Sequence, residues 1–146
     1  MLFRSAFMCD VEGMFHQVKV SEECRDLLRF LWWENGDTSS EPKEYRMTVH
    51  LFGAASSPAC SNFAMKSTAN DNEAEIGSEA ADFLRENFYL DDGLKSVPSV
   101  EDAEKLIKDI KERGGFNLHK LTSNSKDIHN IPIEDRAEDI KSMELD

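Results

Sequence analysis

One stretch constrains this chain more than any other. Phe83, Leu84, Asn87, Phe88, Tyr89 and Leu90 run directly into two adjacent acids, Asp91 and Asp92, and a glycine, Gly93. An apolar run ending on two carboxylates and a glycine predicts a strand entering a tight turn. Gly93 is free there to take a positive φ. A lone carboxylate, Asp10, lies far upstream after its own apolar run, Ala6, Phe7 and Met8. One aspartate at a strand end and two at a hairpin tip could converge on two divalent metals. Two metals about 3.5–4 Å apart are the machinery of in-line phosphoryl transfer.

The chain has 146 residues, enough for one domain with a modest core. No apolar run approaches the roughly 20 residues of a membrane helix, and the start, Met1 to Ser5, lacks a signal-peptide pattern. Three cysteines, Cys9, Cys24 and Cys60, form no C-x-x-C pair and read as reduced, buried, small apolar groups inside a cell. The four histidines are scattered without zinc spacing, and none receives a role. The formal net charge of −12 argues against this chain gripping nucleic acid by itself, because phosphate neutralisation needs a Lys/Arg surface.

Residues 5–10 read as a strand ending at Asp10, followed by a short turn or helix to Gln17. Val18 and Val20 resume extended structure, and Ser21-Glu22-Glu23 starts a helix. Leu27 to Trp33 reads as a strand, Asn35-Gly36-Asp37 as a turn and Tyr45 to Leu51 as the returning strand. Trp32 and Trp33 read as packing residues rather than a stacking platform for bases. Ser57-Pro58 marks a helix start, with Cys60, Phe63, Ala64 and Ser67 on one face. Residues 69–76 read as a loop, Glu79 to Asn87 as a helix, Phe88 to Leu90 and Leu94 to Val97 as a hairpin. Ser99 caps the best-patterned helix, with Val100, Ala103, Ile107 and Ile110 on one face; Gly114-Gly115 ends it, and Phe116 to Leu118 is a short strand. From Lys126 to Asp146 the chain is acidic, poor in aromatics and linker-like. The order is strand, helix, hairpin, helix, helix, hairpin, helix, strand. It predicts an α+β fold, an antiparallel sheet backed by helices in a ferredoxin-like layer over residues 1–125.

A series of blocks, taken in order, resembles a known family. Asp10-Val11-Glu12-Gly13-Met14-Phe15-His16-Gln17-Val18 comes first, then Leu28-Arg29-Phe30-Leu31-Trp32-Trp33 with Tyr45-Arg46-Met47. His50-Leu51-Phe52-Gly53-Ala54 with Ser57-Pro58 follows. Tyr89-Leu90-Asp91-Asp92-Gly93 and Gly114-Gly115-Phe116-Asn117-Leu118-His119-Lys120 complete the set. Over residues 5–125 this resembles the palm of a reverse transcriptase, most closely that of Bel/Pao-type LTR retrotransposons.

The resemblance implies a polymerase palm that adds dNTPs to a primer 3′-hydroxyl on an RNA or DNA template. Asp10, Asp91 and Asp92 with the Val11 carbonyl would hold two Mg²⁺ ions, for which Mn²⁺ can substitute. Phe15 matches the position whose ring would exclude a 2′-hydroxyl. Phe52, Gly53, Ser57 and Pro58 match the segment against the incoming nucleotide and template, and Tyr89 and Leu90 lie at the primer end. Lys120 matches a lysine that assists the leaving pyrophosphate. The resemblance further implies that most of the fingers, the primer grip, thumb and RNase H belong to the remainder of a polyprotein. It implies an intracellular place, in a cytoplasmic virus-like particle. Such a fragment would be inactive in isolation. Two alternatives stand beside it: a non-catalytic retroelement relic, and a small acidic cation-binding or interaction domain.

Overall fold

The alternation expected of a half-covered strand appears along β1 (Ser5–Val11). Ser5, Phe7, Cys9 and Val11 are buried, while Ala6, Met8 and Asp10 face the other way. The structure, a computed structural model, describes residues 5–125, 132 and 135–137. It divides into two compact units: Met1–Glu12 with Asn62–Asp146, and Gly13–Ser61.

The first unit is α+β. Its strands are β1, β4 (Phe88–Tyr89), β5 (Asp92–Val97) and β6 (Leu118–Ser123), in sheet order β4-β5-β1-β6 with every neighbour antiparallel. Two helices back the buried face, α3 (Ser78–Glu86) and α4 (Val100–Glu112). In α4, Ala103, Leu106, Ile107 and Ile110 recur at helical spacing and are buried. Ser99 caps the helix as expected, its Oγ accepting from the Asp102 amide at 3.2 Å. The ring of Phe83 in α3 meets Phe7 of β1 at 5.5 Å and Phe88 of β4 at 5.0 Å between centroids. Three aromatic rings therefore join helix to sheet beneath the β4–β5 turn.

That turn departs from expectation. Leu90, not Gly93, takes the left-handed conformation, with φ +58° in the two-residue loop between Tyr89 and Asp92. Gly93 is required for space. A Cβ there would lie 2.6 Å from the ring of Phe88 and 2.9 Å from that of Phe83. A leucine with positive φ costs energy that the paired strands around it must supply.

Helix α1 (Ser57–Asp71) also differs in its buried face. Ser57, Ser61, Met65 and Ala69 are buried at four-residue spacing, and Phe63 is 74% exposed. The polar stretch expected as a loop is largely helical, since α1 runs to Asp71 and α2 (Glu73–Ile76) follows. Burial of Ile76 outweighs the low apolar content of its neighbours.

In the second unit, short 3-10 turns span Met14–Gln17 and Glu22–Leu28. A hairpin pairs β2 (Arg29–Trp32) with β3 (Lys43–Arg46), turning through Asn35 and Gly36, both at positive φ. The returning strand is shorter than predicted, and Val49 instead bridges Lys19. Trp32 is 57% exposed rather than packed away. Of the cysteines, only Cys9 is fully buried; Cys24 is exposed.

Part of the stretch read as a linker-like tail packs on the first unit. The Ala137 amide donates to the Leu121 carbonyl at 3.2 Å, Arg136 bridges Leu121 in parallel, and buried Asp135 pairs with Lys111. The rest of 126–146 lies outside the described residues, apart from exposed Pro132.

Candidate functional site

Strand register builds a polar row across the open face of the first unit's sheet. Tyr89 on β4 stands opposite Asp92 on β5, Asp92 opposite Asp10 on β1, and Asp10 opposite His119 on β6. Residues opposite one another in antiparallel strands point to the same face. The row below it is Leu94, Met8 and Thr122, of which Leu94 and Met8 are exposed. The face away from the helices thus carries an acidic line above an apolar step.

Asp91 stands at the turn between β4 and β5. Its carbonyl accepts from the Val11 amide at 2.9 Å, which ties the hairpin tip to the end of β1. Asp10 and Asp92 therefore face each other across adjacent strands, about one strand spacing of roughly 4.8 Å apart in backbone terms, and Asp91 precedes Asp92 in the turn. Tyr89 is exposed and Leu90 is half-buried at the same tip.

The side of the site formed by β6 is irregular. From Met8 to Asp10 on β1, the partner strand runs from Thr122 to His119, one residue more than a regular ladder needs. This is a β-bulge, and Lys120 within it has φ +50°. In a regular strand His119 and Lys120 would point to opposite faces. Here both reach Asp10: His119 Nε2 lies 2.5 Å from Oδ1, and Lys120 Nζ donates to Oδ2 at 2.9 Å. The Asp10 side chain is 17% exposed, His119 25% and Lys120 62%. A carboxylate withdrawn that far from water needs such partners. The hydrogen bond to Asp10, and then the charge of Asp10, hold the Lys120 ammonium above its ordinary lysine value. The charges of Asp91 and Asp92 add to this, and partial desolvation opposes it.

The donor chemistry suits a hard divalent cation: carboxylate oxygens on adjoining strands, with a backbone carbonyl at the strand end. In the arrangement described, both Asp10 oxygens are engaged by side chains of β6. Among the described residues, no three or more His, Cys, Asp or Glu side chains assemble at metal-ligand geometry. Below Asp10, buried Cys9 is inert; burial pushes its thiol up to about 12.

The remaining predicted residues belong to the second unit. Phe15 is buried and meets the Phe52 ring edge-on, with centroids 4.9 Å apart at 75°. His16 also meets Phe52 edge-on at 5.7 Å. Gly53 has φ +87°. Ser57 is buried with its Oγ 3.1 Å from Nδ1 of His50, and Pro58 is half-buried in the first turn of α1.

His119 is the residue that sequence reasoning missed. Spacing along the chain pairs it with nothing, and its partner lies 109 positions away. Only the pairing of β1 with β6 brings them together.

No family model matches the chain, and no curated protein matches it.

Proposed function

We propose that this chain is the palm portion of an RNA-directed DNA polymerase of the retrotransposon type. The observation that carries the reading is the meeting of Asp10 and Asp92 in register on adjacent strands, with Asp91 at the tip tied to Val11. The strand order supports it as well. β5 lies between β4 and β1, and β6 flanks β1, the arrangement of a split βαβ or ferredoxin-like layer.

In this reading Asp10 and Asp91, with Asp92 and the Val11 carbonyl, would hold two Mg²⁺ ions. When bound, these ions supply activation of a primer 3′-hydroxyl and charge neutralisation at the leaving pyrophosphate. The residues of the chain do the rest. Lys120, exposed and firmly cationic, offers a positive charge to the departing pyrophosphate. Tyr89 and Leu90 present the tip to the primer end. For the second unit the roles come from the resemblance alone, by which Phe15, Phe52, Gly53, Ser57 and Pro58 would serve the nucleotide and template and Phe15 would discriminate against ribose. Template and primer are gripped mainly by basic segments of a larger polyprotein, consistent with a net charge of −12 here. The particle in which such an enzyme works lies in the cytoplasm. Among the described residues no helix is long and apolar enough to cross a membrane.

The test is Asp91→Asn in a polymerase completed with fingers and thumb. Mg²⁺-dependent primer extension is expected to fall below detection, and full activity would sink the metal assignment. One observation favours the relic alternative: both Asp10 oxygens are occupied by β6 side chains. A chain that takes up no Mn²⁺ at Asp10 would favour that alternative.

A further inference from the structure

We propose that His119 is a positioning residue that fixes one oxygen of Asp10 and leaves the other as the donor to a divalent cation. This rests on the metal reading above and names a residue that reading does not use. The two partners of Asp10 are unequal. His119 sits opposite Asp10 in the β1–β6 register and is three-quarters covered; its imidazole has only two side-chain torsions. Lys120 is mostly exposed on a long flexible stem, which can swing into water while remaining charged. A cation held at Asp10 would therefore take the place of Lys120 at Oδ2, while Nε2–H of His119 would keep its bond to Oδ1.

The bulge is what makes this division of labour possible. A regular ladder would send one of the two adjacent side chains to the helix-covered face. The extra residue, with Lys120 at φ +50°, turns both toward one carboxylate. Outer partners of this kind orient ligands, and their loss typically costs about tenfold or more in metal affinity.

The experiment uses the full 146-residue chain, with Mn²⁺ alone as the probe. Without metal, the ¹⁵N spectrum of the His119 imidazole is expected to show a protonated Nε2 whose signal moves in Asp10→Asn. An unmoved signal would overturn the link. With Mn²⁺ followed by electron paramagnetic resonance, His119→Phe is expected to bind about tenfold more weakly. His119→Gln, which keeps a donor, stays near wild type. Lys120→Met binds at least as tightly as wild type, because a competing cation is gone. Wild-type affinity in His119→Phe, or an equal loss in His119→Gln, would overturn the positioning role. If His119→Phe fails to fold, His119→Asn, whose shorter amide falls short of Asp10, reads the same effect. Asp10→Asn binding as tightly as wild type would instead bring down the metal reading itself, and the metal-free spectrum keeps the two failures apart.

Discussion

The β4-β5-β1-β6 sheet and the β2–β3 hairpin start from similar residues and end in different surroundings. Each contains a strand rich in aromatic and aliphatic side chains, β1 in the sheet and β2 in the hairpin, paired with more polar strands. In the sheet one face is sealed by α3 and α4, and Phe7, Val97 and Leu118 are buried there. In the hairpin every residue of both strands is exposed. A cross-strand ring pair, Phe30 with Tyr45 at 5.8 Å, and surface ion pairs such as Arg29–Glu44 at 3.3 Å hold it. Contacts of that kind contribute roughly 0.2–1 kcal/mol each. Strand propensity is therefore common to both regions, while burial on one face is what gives the first a fixed register and a place to hold charged groups.

Four experiments break or sharpen this contrast. Phe83→Ala removes the ring that joins α3 to the sheet, and chemical denaturation is expected to show a loss of about 3–5 kcal/mol. A loss as small as a surface change would mean that the helices do not seal the sheet. Gly93→Ala comes next, at about 1–3 kcal/mol, because its methyl group would intrude on the rings of Phe88 and Phe83. A neutral result would show that those rings yield freely.

The cysteines extend the comparison to chemistry. Cys24 in the second unit is exposed and should be alkylated quickly in the native chain, whereas Cys9 should react only on unfolding. Burial raises the Cys9 thiol from its ordinary 9.0 to about 12. Its contribution is thus fully present below about pH 9 and is lost as pH rises toward 12. Stability that stays flat across that window, with Cys9 labelled as fast as Cys24, would contradict the burial. The smallest effect is expected for Trp32→Thr, within about 0.5 kcal/mol by thermal or chemical denaturation, since the ring is largely in water. A loss of several kcal/mol would show that the hairpin is covered in solution.

Much of the local structure was legible. β1, the Asn35-Gly36 turn, the helix opening at Ser57-Pro58, the β4–β5 hairpin and the capped helix α4 all lie where periodicity and turn chemistry put them. The failures have physical causes. In α1 the helical pattern does not say which face meets a neighbour, and a serine–methionine–alanine stripe is buried while Phe63 is not. At the hairpin tip, glycine signalled a positive φ, yet its small size was needed for ring packing, and Leu90 carries the left-handed turn. In the stretch 126–146, acidic composition hid the docking of Asp135 and Ala137 against α4 and β6.

The sequence by itself determined where β1, the Asn35-Gly36 turn, the Ser57-Pro58 helix start, the β4–β5 hairpin and the capped helix α4 lie, and that Asp10, Asp91 and Asp92 fall at a strand end and a turn. Those are consequences of neighbouring residues and of periods of two and 3.6. The tertiary structure alone decided that Asp10 faces Asp92, that His119 and Lys120 both grip Asp10, and that one sheet face is left open. These follow from strand register and from one extra residue in β6, which act between positions far apart in the chain and leave no mark in local spacing.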